Sequence, residues 1–169
     1  ISDASDIGLI EPNVVITSSN TKMTIDGIKI IFQLTPGTEA PSEMNIYFPQ
    51  LKALNIAENS SKTLHNFYTL RGAKVRDSKA WAFYLDETVK MFGKEVEVMF
   101  AGHNWPTWGN ERIATQLGNQ RDEILFIHNE TLRLANMGYN PIEISENIQM
   151  PKSLYKFGYN RGYYGSVKH

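Results

Sequence analysis

Three side chains that could bind a metal ion each follow an apolar stretch with the pattern of a β-strand. Glu39 lies in the tight loop TPGTEAP, Glu58 follows the segment LKALNIA, and His103 follows the segment EVEVMFAG. Constrained loops at strand ends are where rigid scaffolds commonly present functional groups, and strand ends on one sheet edge would bring these three together. Carboxylate oxygen and imidazole nitrogen without thiolate suit Zn²⁺, Mn²⁺ or Fe. From residue type alone, solvated glutamates and a hydrogen-bonded structural histidine remain the alternative.

Composition limits the classes of function. The chain has 169 residues, a net charge of −1 and no cysteine, which allows one domain with a real core, or one domain plus part of another. The absence of cysteine excludes disulfides, thiolate ligands and a cysteine nucleophile. The near-zero charge gives no electrostatic reason to expect nucleic acid or an anionic membrane as partner, and no apolar run is long enough to predict a membrane span.

The first two-thirds of the chain has strand patterns and one helical pattern. Asp26-Gly27 is a typical two-residue hairpin turn between alternating segments. The apolar residues of Ser78–Phe92 recur at helical spacing, and Gly93 follows them. The sequence therefore predicts a helix over Ser78–Phe92 and strands over Lys22–Asp26, Ile28–Leu34, Met44–Phe48, Leu51–Ala57 and Glu95–Phe100.

The last third has only helical patterns. Asn110 is expected to cap a long helix that runs to Asn136 and stops at Gly138, and further helices are expected to open at Pro141 and Pro151. The helices expected at Pro141 and Pro151 have the spacing of a helix-turn-helix. The second of them has few basic or amide side chains at its start, so DNA binding is not expected. The predicted class is α+β, with two units at about 1–109 and 110–169.

Several motifs along the chain resemble those of the bacterial alkylsulfatases. The stretches FQLTPGTEAPSEMNIYFPQLKALNIAEN, LHNFYTLRGAKVRD, AGHNWPTWGNERI and NRGYYGSVKH occur in that family's order, from about Lys29 onward. Members are zinc enzymes of the metallo-β-lactamase superfamily that hydrolyse linear alkyl sulfate esters such as dodecyl sulfate, and many are exported to the periplasm or beyond. The resemblance implies part of an αββα sandwich over 1–109, and over 110–169 an incomplete helical dimerisation segment of a homodimer.

The resemblance also implies roles for individual residues. Glu39 stands where the superfamily has a loop histidine and would anchor one zinc ion, Glu58 would bridge the two ions, and His103 would anchor the other. Arg71 matches the arginine that grips the sulfate, which suits the planar donor fork of a guanidinium. His169 ends a stretch that the family places near the catalytic cleft, where it would act as a general acid for the leaving alcohol.

One hallmark of the superfamily is absent from the sequence. The His-x-His-x-Asp-His loop, which supplies half of the ligands for the two metals, has no counterpart, since the only histidines are His65, His103, His128 and His169. That loop lies upstream in the family, so we expect this chain to be a C-terminal portion of the catalytic domain, inactive by itself. His65 either lines the site or forms a structural hydrogen bond. The alternative functions are hydrolysis of another ester on the same fold and a non-catalytic helical dimerisation module.

Overall fold

The computed structural model describes residues 8, 10–69 and 72–168, which form a mixed six-stranded sheet with helices packed against it. The strands lie side by side in chain order, and every neighbouring pair is antiparallel except β4 and β5, which are parallel. Their bounds are β1 Thr21–Ile25, β2 Ile28–Leu34, β3 Met44–Phe48, β4 Ala53–Asn55, β5 Val98–Phe100 and β6 Thr107–Trp108.

Four α-helices accompany the sheet in the described part of the chain. They are α1 Ser78–Phe92, α2 Asn110–Asn136, α3 Pro141–Asn147 and α4 Lys152–Tyr155, and short 3₁₀ turns form at Pro49–Leu51 and Gly158–Asn160. Because β4 and β5 are parallel, the chain must cross over between them, and α1 lies on that crossover. The predicted α+β class is confirmed.

The predicted hairpin is confirmed in detail. Asp26 and Gly27 have φ angles of 49° and 79°, the left-handed conformation at both turn positions that gives a type I′ turn. Ile25 pairs with Ile28 directly across this turn. The turn therefore fixes the register of β1 on β2, the strand that leads into the Glu39 loop.

The core lies between the sheet, the whole length of α1 and the first half of α2. Trp81 and Leu85 of α1 are fully buried against Leu54 of β4, and Ile113 and Leu117 of α2 join the same cluster. A smaller apolar cluster forms further along α2, from Leu64, Ile127, Leu134 and Ile148. The predicted domain boundary between 109 and 110 stays a prediction, although α2 packs against α1.

Two strands are shorter than the sequence pattern indicates. The predicted strand Leu51–Ala57 pairs only over Ala53–Asn55, because Leu51 belongs to a 3₁₀ turn and Lys52 adopts a left-handed φ of 47°. The strand expected from Glu95 begins at Val98. The apolar pattern identifies the buried segment, but local turns decide where the strand pairing begins.

The start of α2 also differs from the prediction. Gly109 is the N-cap residue, and Asn110 is the first residue of the helix. The side-chain amide of Asn110 instead donates to the carbonyl oxygens of Gly93 and Val96, the latter at 3.1 Å. Asn110 therefore ties the start of α2 to the turn after α1. No helix among the described residues is long and apolar enough to cross a membrane.

Candidate metal centre

The Glu39 loop is a compact turn held by its own hydrogen bonds. Thr38 donates its hydroxyl to the carbonyl oxygen of Thr35 at 2.7 Å, and the Thr35 amide donates to the carbonyl oxygen of Glu43 at 2.9 Å. Gly37 has a φ of 78°, a conformation that favours glycine. These bonds close the loop directly after β2, so Glu39 has a fixed position at the end of that strand.

The loops of Glu58 and His103 are joined by their backbones. The Gly102 amide, next to His103, donates to the carbonyl oxygen of Ala57, next to Glu58, at 2.8 Å. Ala57 adopts a left-handed φ of 49°, and its amide is held by the Asn55 side chain at 2.8 Å. The parallel pairing of β4 with β5 therefore continues into the loops and brings the two candidate ligands together.

Four side chains meet at this edge of the sheet, and we call them the Glu–His cluster: Glu39, Glu58, His65 and His103. One ligand atom from each of Glu39, Glu58 and His65 lies within 4.8 Å of the other two. Glu58 Oε2 is 3.0 Å from His65 Nε2, and Glu58 Oε1 is 3.2 Å from His103 Nε2. Each oxygen of one carboxylate thus faces a different imidazole.

The two histidines differ in their surroundings. The His65 side chain is 10% exposed, whereas that of His103 is 68% exposed. The His65 ring lies 5.5 Å from the rings of both Trp81 and Tyr164. Packing therefore fixes the orientation of His65, while the position of His103 depends on its loop.

Both ring nitrogens of His65 face acceptors. Nδ1 lies 2.9 Å from the carbonyl oxygen of Asn66, and Nε2 faces the Glu58 carboxylate. A neutral imidazole carries one N–H and can serve only one of these acceptors. In the tautomer that carries its proton on Nδ1, the ring donates to Asn66 and leaves Nε2 free to bind a cation shared with Glu58. That is the usual arrangement of a histidine that binds a metal.

Among the described lysines and arginines, Arg76 is the one that pairs with a carboxylate of the Glu–His cluster. It is buried, at 6% exposure, and Nη2 donates to Glu39 Oε1 at 2.7 Å, while Nε donates to the Glu39 carbonyl oxygen at 3.0 Å. Nη1 donates to both the carbonyl oxygen and the side-chain oxygen of Asn66. Arg76 therefore links the Glu39 loop to the residue that orients His65.

A further carboxyl group lies beside the cluster. Burial, followed by the negative charges of Glu39 and, more weakly, Glu58, raises the pKa of Glu43 to about 7, against a weaker opposing hydrogen bond from the Met44 amide. A raised pKa means that ionising Glu43 is unfavourable beside two other carboxylates. The site has a surplus of negative groups and acceptor atoms over cations.

The C-terminal stretch packs against the same loop. The Leu64 amide donates to the carbonyl oxygen of Arg161 at 3.0 Å. A Cβ atom at Gly165 would lie 2.5 Å from the amide nitrogen of Asn66, so this approach requires glycine. The stretch RGYYGSV thereby brings Tyr164 against His65.

Three of the five site residues predicted from the sequence lie in the described part of the chain. Glu39 and Glu58 lie together with His65, which was left open from the sequence, and His103 contacts Glu58 alone among the predicted ligands. Their roles as metal ligands stay predictions. Arg71 and His169 lie outside the described residues, so their predicted roles stay predictions. Arg76 and Glu43 were not identified from the sequence. Arg76 is one of three basic residues in RGAKVRD, and nothing in that motif distinguishes it.

Comparison with known proteins identifies the fold class. A metallo-β-lactamase family protein from Thermus thermophilus superposes with a TM-score of 0.55 at 14% identity, over 88% of this chain and 45% of that one. This likeness supports the fold alone, and it agrees with the mixed sheet and flanking helices described above. The chain has a metallo-β-lactamase-like α+β fold with carboxylates and imidazoles at its strand ends.

Closer relatives narrow the family. A linear primary-alkylsulfatase from Pseudomonas sp. is 49% identical over 166 residues, which is 98% of this chain and 25% of the relative. The structure of a stereoselective inverting sec-alkylsulfatase from Pseudomonas sp. matches with a TM-score of 0.92 and 44% identity, over 95% of this chain and 25% of that one. No protein-family model matches the chain. Over nearly all of its length, the chain corresponds to one segment of the alkylsulfatases, and it spans about a quarter of their length.

Proposed function

We propose that the Glu–His cluster is this chain's share of a two-zinc centre in an enzyme that hydrolyses alkyl sulfate esters to alcohol and sulfate. The observation that carries the proposal is the Glu58 carboxylate, whose two oxygens face His65 and His103 separately at 3.0 and 3.2 Å. A carboxylate in this position can bridge two cations, each of which also takes an imidazole. The alternative of a non-catalytic dimerisation module gives no reason for such a cluster.

The residues present fit a zinc centre chemically. Zn²⁺ accepts histidine nitrogen and carboxylate oxygen, and a catalytic site combines few protein ligands with an open position. When bound, the metal would lower the pKa of a coordinated water toward ~7 and stabilise negative charge on the ester. The surplus of carboxylates around Glu39 and Glu43 favours a cation at this edge of the sheet.

The chain's own residues would orient the ligands. With its proton on Nδ1, His65 would donate to the Asn66 carbonyl oxygen and would offer Nε2 as a metal ligand. Arg76 fixes one oxygen of Glu39 by an ion pair at 2.7 Å, so that the carboxylate keeps one orientation. His103 has no comparable side-chain support apart from Glu58 in the described part of the chain.

The substrate class rests on the relatives. Those compared above are alkylsulfatases for linear primary and for secondary substrates, and we extend the sulfate ester class to this chain. Arg71 would hold the sulfate oxygens with its guanidinium fork, and His169 would protonate the leaving alcohol. Both roles come from the motifs alone.

The remaining ligands are part of the proposal. Two zinc ions need more ligands than the Glu–His cluster offers, and we propose that a His-x-His-x-Asp-His loop outside these 169 residues supplies them. The isolated chain would then be inactive. We also propose that residues 110–169 belong to a helical dimerisation segment, with a homodimer as the active form.

A substrate comparison tests the proposal in the polypeptide at its full encoded length. Zinc-loaded wild type should hydrolyse dodecyl sulfate, below its micelle-forming concentration, better than dodecyl acetate. Arg71→Ala should lower kcat/KM for the sulfate by about 100-fold or more and leave the acetate nearly unchanged. Arg112→Ala, at an exposed position of α2, is the matched control. Equal losses on both esters would refute the sulfate role of Arg71, and no turnover of any alkyl sulfate would refute the proposed activity.

A further inference from the structure

The segment Ser60–Lys62 lies between the two loops that carry Glu58 and His103. The Lys62 amide donates to the side-chain oxygen of Asn104 at 3.1 Å. Asn104 follows His103 directly and has a left-handed φ of 69°. The backbone of Lys62 therefore holds the residue beside the more exposed of the two histidines.

The Lys62 side chain holds the other end of the same loop. Its ammonium group donates to Gln116 Oε1 on α2 at 2.8 Å and to the hydroxyl of Thr107. Thr107 also donates to Gln116 Oε1 at 2.8 Å. Thr107 and Gln116 are both buried. The loop from Asn104 to Thr107 is thus attached to Lys62 at its two ends.

Helix α2 holds the segment from the opposite side. Gln116 Nε2 donates to Ser60 Oγ at 3.2 Å and to the carbonyl oxygen of Ser61 at 3.1 Å. Gln120 donates to the same Ser61 carbonyl at 3.0 Å and accepts from the Ser60 hydroxyl. A buried network therefore joins α2, the segment that follows Glu58 and the loop that follows His103.

The ammonium group of Lys62 has neutral acceptors around it. In the part of the chain that the structure describes, no carboxylate forms an ion pair with its ammonium group, and burial lowers the Lys62 pKa. Burying a cation among neutral oxygens costs free energy. Thr107 and Gln116 already bond to each other. Lys62 therefore adds a connection between the segment after Glu58 and the far end of the His103 loop.

We propose that Lys62 is a positioning residue for the metal centre, which holds the Asn104–Thr107 loop so that His103 stays within reach of Glu58. The inference that a metal is positioned rests on the proposed function, whereas the attachment of the loop can be tested without metal. His65 is fixed by packing and does not depend on Lys62. Loss of Lys62 should therefore affect the metal held by His103 more than the one held by His65.

The first test measures hydrogen exchange in the metal-free polypeptide at its full encoded length. In Lys62→Met, the amides of residues 102–105 and 107 should exchange at least about tenfold faster, because the ammonium group's hydrogen bond to Thr107, and its link from there to Gln116 on α2, are lost. The amides of α1 should not change. Lys90→Met removes an exposed lysine paired with Asp86 and should leave the loop unchanged. If the loop amides of Lys62→Met exchange at the wild-type rate, the inference is overturned.

The second test titrates the same variants with Co²⁺ as the metal probe. Lys62→Met should weaken the binding of one of two equivalents by about 10–100-fold, the range found when groups that support metal ligands are lost. Thr107→Val should weaken the same equivalent, and Thr107→Ser, which keeps the hydroxyl, should restore it. Wild-type affinity in Lys62→Met would overturn the positioning role. If the wild type binds no Co²⁺, the proposed function is refuted, and the exchange comparison alone decides whether Lys62 positions the loop.

Discussion

Two polar regions of this molecule contrast in how their donors and acceptors are matched. The neutral network, formed by Gln33, Asn45, Asn59 and Thr88, lies buried between the sheet and α1. Asn45 donates to Gln33 at 3.0 Å and to Thr88 at 3.1 Å, and it accepts from Asn59 at 2.8 Å. Gln33 also donates to the Glu87 carboxylate at 2.8 Å, and Asn59 Oδ1 is the atom of the network without a partner.

The Glu–His cluster is matched differently. Glu39, Glu58 and the neighbouring Glu43 contribute carboxyl groups, and Arg76 is the described cation that pairs with Glu39. The side chains of the neutral network are almost all satisfied by one another and by adjacent groups, as expected of a structural element. The Glu–His cluster instead gathers carboxyl groups and imidazoles, the side chains with which proteins hold a cation. The neutral network therefore has the features of a region that stabilises the fold, and the Glu–His cluster has those of the proposed metal centre.

The largest expected effect on stability is at Arg76. Arg76→Met would leave the Glu39 carboxylate and the Asn66 oxygens without their buried donor, and should lower the free energy of unfolding by about 3 kcal/mol. Arg121→Met removes a more exposed guanidinium paired with Asp86 at 2.7 Å and should cost less than about 1 kcal/mol. Denaturant unfolding of metal-free protein measures both. Equal effects would mean that the Glu–His cluster does not depend on Arg76.

A smaller, pH-dependent effect is expected at Glu123 of α2. Its carboxyl is buried without a hydrogen-bond partner, and burial raises its pKa to about 9. Between the ordinary glutamate pKa and about 9, the folded state holds a proton that the unfolded state has lost. Stability should therefore fall as the pH rises, by up to about 2.7 kcal/mol between pH 6 and 8.

The variant Glu123→Gln tests this effect, since it keeps the shape and removes the titration. Denaturant unfolding between pH 5 and 8 should show a shallower fall in stability than wild type, with the greatest gain at pH 8. Parallel pH profiles for the two proteins would show that Glu123 is ionised in the fold and has a partner.

The smallest expected effect is in the neutral network. Thr88→Val keeps the side-chain shape but removes the hydroxyl that bonds to Gln33 and to the Tyr84 carbonyl oxygen, both at 2.7 Å. Stability should fall by about 1–2 kcal/mol, and metal affinity measured by titration should stay at the wild-type value. A variant of normal stability and weakened metal binding would reverse the roles assigned to the two regions.

The sequence was sufficient for the elements that position the site. Apolar runs ending in constrained loops predicted that Glu58 and His103 would lie together, and they do because the parallel neighbours β4 and β5 end at the same edge. The left-handed Asp26-Gly27 turn and the spacing of Trp81 and Leu85 determined the hairpin and α1 for local reasons. The alkylsulfatase resemblance supplied the family.

The sequence was not sufficient where contacts between residues distant in the chain determine the position of a side chain. His65 lies in a segment without periodicity, and its place depends on Trp81 and on the C-terminal Tyr164. Arg76 could not be told from the other basic residues of its motif, because only the fold brings it to Glu39 and Asn66. Similarly, asparagine is a common N-cap residue, but the Asn110 side chain donates to carbonyl groups in the turn after α1 instead of capping α2.

Calorimetric titration of the metal-free polypeptide at its full encoded length with Zn²⁺ tests the central claim most directly. The comparison is wild type against Glu58→Gln and against Glu97→Gln, a control at an exposed carboxylate paired with Lys52 at 3.5 Å. We expect tight binding by wild type and Glu97→Gln, and binding at least about 100-fold weaker by Glu58→Gln for both equivalents. Equal affinity in all three proteins would contradict the bridging role of Glu58 and, with it, the metal centre proposed here.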